Sequence, residues 1–223
     1  MCSRSWLWNC SPSGHVARGL LLPRSPWAIL CPRQNRPPQS SRLLMSQFND
    51  PAEAAYSVQD YGSSPAIEGV ELIALRRFND DGGSMTELAR LAAGQHEGVA
   101  GFEARQMNYS VLDPQAIKAF HLHRRQTDVW FVPPSDKIML VLADVRSGSA
   151  SEGVVQRLIL GDGNSRLVRI PPGVAHGCRN LRPSTPGSII YFVDVQFSVG
   201  EECDEGRLPW DHFGTELWEV ERA

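Results

Sequence analysis

From residue 68 onward, short runs of apolar and β-branched residues are separated by Gly, Pro, Asp and Ser, a punctuation that predicts strands rather than helices. The candidate strands cover 70–77, 102–111, 116–123, 128–132, 137–145, 154–160, 167–170 and 188–197. Turn signals fall between them, at Asp113-Pro114, at 133–136, at Ser147-Gly148-Ser149 and at 161–164. Short strands at this spacing predict a sandwich or jelly roll. One helix is predicted over 85–93, with Ser84 as N-cap and Glu87 closing a capping box. There is no internal repeat and no sign of a second domain, so the pattern predicts one all-β domain over 68–223, preceded by a linker over 45–67.

The same alternation assigns side chains to faces. His121 and His123 are two apart on a predicted strand and point to one side, where His176, some fifty positions on, can join them. Three of the six histidines gathered in this way suggest a reaction centre. Gln106, Asn108 and Ser110 alternate with Met107, Tyr109 and Val111, which gives either a hydrogen-bonding face or an ordinary solvated one. Tyr191 and Phe197 share a face with Val193 and Val195, a stripe that in most strands is simply core. His96 and His212 read as packing or surface residues, Cys178 as a small core residue, and Trp130 and Trp210 as packing.

Charge is unevenly spread. The first 49 residues hold six arginines and no Asp or Glu. Without those arginines the 22 basic residues fall to 16 against 25 acidic ones, a formal charge of −9. A body of that sign repels a phosphate backbone, so no nucleic-acid partner is expected. No apolar run approaches a membrane span, so no membrane association is expected either. Residues 1–44, rich in Ser, Pro, Arg and Trp, are expected to be a disordered extension. Either Met45 is the true start or the extension is an organelle transit peptide. Only Cys178 and Cys203 remain in the body, which fits a reducing compartment. The expected location is cytoplasmic, or organellar if the extension is a transit peptide.

Several segments in collinear order resemble the dTDP-4-dehydrorhamnose 3,5-epimerase family of RmlC-like cupins. Arg105-Gln106-Met107-Asn108-Tyr109-Ser110 resembles the family's R-Q-x-N-x-S strand, and Lys118-Ala119-Phe120-His121 its R-G-L-H. Leu142–Ser147 followed by Gly153 resembles its V-D-I-R segment, and 170–177 is nearly identical to its I-P-x-G-x-A-H-G stretch. Ser188–Tyr191, Trp210-Asp211 and Trp218 continue the order, so the resemblance covers about 70–218. It implies a double-stranded β-helix jelly roll, all-β with one short helix. It also implies an isomerase that epimerises a nucleotide-linked 4-keto-6-deoxy sugar in deoxysugar or polysaccharide biosynthesis. No cofactor is implied, and the partners implied are the nucleotide sugar and a second copy of the chain in a homodimer.

Such chemistry needs a base, a group to receive enolate charge and an acid on the opposite face. Carried over by position, His121 is the base, Tyr191 the acid, and Lys118 a cation for enolate or phosphate. Gln106, Asn108, Ser110 and Glu87 are implied to hold the nucleotide, Phe197 to stack on it, and His123 and His176 to line the sugar pocket. The chain departs from the family at three points. The family's second lysine is Asp128, its phosphate-binding arginine is Gly82, and the sequence stops five residues after Trp218, before the Asp that orients the family's base. Asp128, with His123, is a candidate replacement for that carboxylate.

The same residues carry a rival reading. Metal-binding cupins use H-x-H-x(3,4)-E and P-x-G-x-x-H-x-x-x-N; here His121-Leu122-His123 is followed by Asp128, and 171–180 matches the second element. His121, His123, Asp128 and His176 would then hold one divalent metal ion in a metal-dependent enzyme. A non-catalytic cupin that binds sugar nucleotides is the third alternative.

Overall fold

The computed structural model describes residues 48–59, 62 and 65–220, so the extension predicted over 1–44 lies outside the described residues. The chain divides into a unit over 1–59 and a larger one over 60–223. In the first, α1 (Asp50–Ala55) begins at Asn49, whose side chain accepts a hydrogen bond from the Ala52 amide at 3.1 Å.

The larger unit contains fourteen described strands. In chain order they are β1 (Glu71–Ala74), β2 (Arg77–Asp80), β3 (Gly83–Thr86), β4 (Leu91–Ala92), β5 (Gln95–His96), β6 (Gln106–Leu112) and β7 (Ile117–Leu122). There follow β8 (Asp128–Phe131), β9 (Lys137–Asp144), β10 (Val155–Gly161), β11 (Arg166–Ile170), β12 (Val174–Asn180), β13 (Gly187–Val193) and β14 (Gly206–Arg207). Ten of them build two antiparallel sheets. One runs β1-β11-β8-β13-β6 and the other β10-β9-β12-β7-β14.

Side chains from both sheets meet in a common core. Trp130, Val168, Ile170 and Ile189 of the first sheet pack with Ile138, Leu140, Leu142, Leu160 and Cys178 of the second. The outer faces are covered as well. Val129, Phe131, Leu167 and Phe192 lie under Val99 and Phe102, while Phe120, Met139, Val141 and Ala175 lie under Trp218 and Phe213. Burial on both faces explains why β8 and β9 read as nearly continuous apolar runs. The result is the jelly roll implied by the resemblance.

The helix predicted over 85–93 does not form. Residues 83–86 instead pair with β2, and Ala93 and Gly94, both at positive φ, turn β4 into β5. A nine-residue helix is marginal without a packed face, and Met85 is more than half exposed. The run over 70–77 also divides, into β1 paired with β11 and β2 paired with β3.

Strand β12 is absent from the predicted set because Pro171, Pro172, Gly173 and Gly177 read as turn chemistry. Gly177 has another purpose. A Cβ there would lie 2.4 Å from Ala119 Cβ and 3.0 Å from Trp218 Cη2, so the close approach of β12 to β7 requires glycine.

Candidate active site

The first layer of the site is set by strand register. His121 on β7 faces His176 on β12 across a pair of the second sheet. Their rings stack 5.7 Å apart at 13°, and His123, just past the end of β7, lies 6.4 Å from His121 and 5.3 Å from His176. The three histidines foreseen from the sequence therefore do meet. His176 does not line the pocket, however: at 1% exposure it lies behind His121, with the Trp130 ring edge-on to it at 5.4 Å.

Asp128, the first residue of β8, approaches this group from the opposite sheet. Its Oδ1 accepts from Gln126 Nε2 at 2.7 Å and its Oδ2 from Trp130 Nε1 at 3.0 Å. His176 Nε2 lies 3.5 Å from Oδ2 and His123 Nε2 3.9 Å from Oδ1. Burial pushes the carboxyl upward, but His176, His123 and the Trp130 N–H outweigh it and hold it at about 2. Asp128 thus serves His176 and His123, and does not orient His121 directly.

His123 donates Nδ1–H to the Asp204 carbonyl at 2.6 Å, and His176 donates Nδ1–H to the Val174 carbonyl at 3.1 Å. Nδ1 is committed in both rings, so both Nε2 atoms face the Asp128 carboxylate, as N–H donors when the ring is protonated and as lone pairs when it is neutral. The Asp204 side chain in turn accepts from the amides of Arg124, Arg125 and Gln126. Those bonds overcome the effect of burial and lower its carboxyl below the usual range.

The neighbours of His121 were not foreseen. Arg207 on β14 places Nη1 2.6 Å from His121 Nε2, and Glu205 Oε2 lies 3.7 Å from Nδ1. Burial, His176, Arg207 and His123 together depress the imidazole to about 3, so it is neutral at physiological pH. One sequence signal was available. Glu205 and Arg207 are two apart, the spacing that marks a shared strand face.

A cavity of about 420 Å³ lies between the sheets, with His121, Lys118, Glu205 and Arg207 facing Tyr191 and Trp130. A second, of about 370 Å³, shares His121, Gln126, Tyr191, Glu205 and Arg207 with the first and extends to Gln106, Asn108 and Phe197. The two form one cleft. Burial, then Asp128 and Glu205, raises the Tyr191 phenol above its usual value and keeps it protonated. Lys118 Nζ donates to Ser110 Oγ at 3.3 Å and to the Val111 carbonyl at 2.8 Å. Gln106 donates to Asn108 Oδ1 and accepts from the Phe197 amide, which fixes that wall.

Glu87 lies outside the cleft, exposed and paired with Arg90 at 3.0 Å. The four proposed metal ligands do not fall in one group. His123, Asp128 and His176 lie together, while His121 lies with His123 and a residue outside the proposed set, Glu205; within each group the ligand atoms are within 4.8 Å of one another. His96 is buried, with its ring nitrogens bonded to the Leu88 carbonyl and the Gly98 amide, and is structural. Cys178 is buried, its thiol pushed by burial up to about 12.

Residues 64–212 match the dTDP-4-dehydrorhamnose 3,5-epimerase family. The spore coat polysaccharide biosynthesis protein SpsL of Bacillus subtilis is 38% identical over 147 residues, 65% of this chain and 91% of that one. The probable low-salt glycan biosynthesis epimerase Agl13 of Haloferax volcanii is 26% identical over 66% of this chain and 90% of its own. Among solved structures, a dTDP sugar isomerase from Desulfovibrio desulfuricans superposes with a TM-score of 0.58 at 28% identity, covering 66% of this chain and 88% of the other. The dTDP-4-dehydrorhamnose 3,5-epimerase of Bacillus anthracis, solved with TDP and PPi bound, gives 0.55 at 26% identity over 69% and 87%.

Proposed function

Because the chain belongs to the dTDP-4-dehydrorhamnose 3,5-epimerase family, we propose that it epimerises a nucleotide-linked 4-keto-6-deoxy sugar in polysaccharide or glycan biosynthesis. One observation carries the reading: a neutral imidazole, His121, and a protonated phenol, Tyr191, face the same cavity from opposite sheets. A carbon held between them can lose its proton to His121 Nε2 and receive one from Tyr191 on the other face. The C–H electron pair passes through an enolate between the two steps. Lys118 and the Gln106–Asn108 wall hold the diphosphate and nucleotide, with Phe197 against the base.

The reading calls on no cofactor. In D2O, the protein should exchange deuterium into dTDP-4-keto-6-deoxyglucose, and His121→Ala should abolish the exchange. Absence of exchange with any such sugar would sink the proposal; binding without exchange would leave a non-catalytic sugar-nucleotide protein.

A specific observation favours a second reading. His123 and His176 both turn Nε2 toward a buried carboxylate, and in the neutral rings that Nδ1 donation selects those nitrogens are acceptors. A divalent cation held by His123, Asp128 and His176 would resolve that conflict, with the backbone carbonyls fixing the tautomers. Metal analysis of protein purified without an affinity tag decides it. Stoichiometric metal lost on His123→Gln supports the site, and active, metal-free protein removes it.

The assembly we propose is a homodimer. Strand β6 is an edge of its sheet and exposes Met107, Tyr109 and Val111, an unpaired edge that a second copy can cover. Light scattering on the purified protein tests it. The unpaired Cys178 and Cys203 suit the cytoplasm, and among the described residues no helix is long and apolar enough to cross a membrane.

A further inference from the structure

Where the family carries a lysine and an arginine this chain has Asp128 and Gly82, so His121 needs help from elsewhere in the chain. We propose that Glu205 and Arg207 supply it, Arg207 as the catalytic cation that receives the enolate charge and Glu205 as the positioning carboxylate of the base. The inference rests on the epimerase reading and deepens it.

The placement follows from one strand pair. β14 runs against β7 with Arg207 opposite His121 and Gly206 opposite Leu122. A Cβ on Gly206 would lie 2.4 Å from the Leu122 carbonyl oxygen, so the approach depends on that glycine. Glu205 and Arg207, on either side of it, both line the two halves of the cleft.

The contacts assign the proton on His121. A guanidinium only donates, so Nε2, 2.6 Å from Arg207 Nη1, is the acceptor nitrogen and the ring proton is on Nδ1. Nδ1 faces Glu205 Oε2 at 3.7 Å, outside hydrogen-bond distance here, and such contacts commonly tighten once substrate is bound. The tautomer is the one a base acting through Nε2 needs.

Arg207 also rests on the lone pair that must take the proton. A ketone oxygen beside the carbon to be deprotonated is a better partner for the guanidinium. Its arrival draws Arg207 off Nε2, which frees the base and brings the cation to the oxygen in one movement. Nε2 then takes the proton, the C–H pair becomes the enolate double bond, and the carbonyl π pair moves onto the oxygen facing Arg207. The imidazolium so formed lies between Glu205 and the substrate. Tyr191 returns a proton to the carbon from the other sheet, the carbonyl re-forms, and phenolate and imidazolium reset through solvent.

The test combines ¹⁵N-histidine NMR with deuterium uptake into dTDP-4-keto-6-deoxyglucose. In the wild type, the His121 resonances should report a neutral ring protonated at Nδ1, and they should move in Arg207→Gln. That variant should lose about 10²–10³ in kcat for exchange with little change in KM. Arg207→Lys should recover part of the loss, and Glu205→Gln should cost roughly 10²-fold in kcat, partly rescued by Glu205→Asp. Circular dichroism and melting temperature establish that each variant is folded. A ring protonated at Nε2, or wild-type rates in folded Arg207→Gln and Glu205→Gln, overturns the inference while the epimerase reading stands. No exchange by the wild-type protein overturns both.

Discussion

Asp128→Asn isolates the charge at the centre of the histidine cluster. The asparagine keeps the shape of the side chain but is neutral at every pH. The Asp128 carboxyl stands at about 2 in the folded protein against an ordinary 3.8. At about 1.4 kcal/mol per pH unit, that difference is worth on the order of 2 kcal/mol of stability. The folded value is depressed, so the contribution is complete above pH 4 and disappears as pH falls through 2. At pH 3, roughly half of it should remain. Asparagine also cannot accept from both Gln126 and Trp130, which leaves one buried N–H poorly paired at a cost of about 1–3 kcal/mol at any pH. Urea unfolding of both proteins at pH 7, 5 and 3 yields the difference directly, and other acid-sensitive groups such as Asp204 cancel in it. The wild-type advantage should be the same at pH 7 and 5, then shrink by about 1 kcal/mol at pH 3. An advantage that is constant down to pH 3, or grows, would refute an ionised Asp128 stabilised by His176 and His123.

Three further outcomes follow from the geometry. Gly177→Ala should destabilise the protein by about 1–3 kcal/mol, measured by urea unfolding, because the added methyl must force β12 away from Ala119 and Trp218; a change within experimental error would contradict the close approach. Trp218→Ala should cost about 3–5 kcal/mol, since the indole is 2% exposed against Phe120 and its Nε1–H donates to the Trp210 carbonyl at 2.9 Å. Tyr191→Phe should keep His121-driven deuterium exchange but lower epimer formation by about 10²–10⁴, resolved by NMR of the sugar products; equal loss of both would assign Tyr191 to proton removal.

Much of the fold was legible because half-buried strands leave a period of two and turns leave Gly, Pro and Asp. The sequence failed where local chemistry and packing compete. The capping-box pattern at 84–87 predicts a helix, but pairing of β3 with β2 and the Ala93-Gly94 turn win. The glycine that reads as a break in 171–180 is what lets β12 lie against β7. In the site, His121, His123, His176, Asp128 and Tyr191 were all named from the sequence, and the structure brings them together. It also assigns Asp128 to a different pair of histidines and leaves Glu87 outside the cleft.

By itself, the sequence determined the all-β pattern, the histidine pair on one strand face and the collinear segments that mark the family. Those features are local: each depends on residues a few positions apart. What touches His121 was decided by tertiary structure alone. Glu205 and Arg207 are more than eighty residues from it along the chain, and only the pairing of β14 with β7 brings them to its two nitrogens. Spacing can put a histidine on a face, but its proton is set by the donors and acceptors that packing places around it.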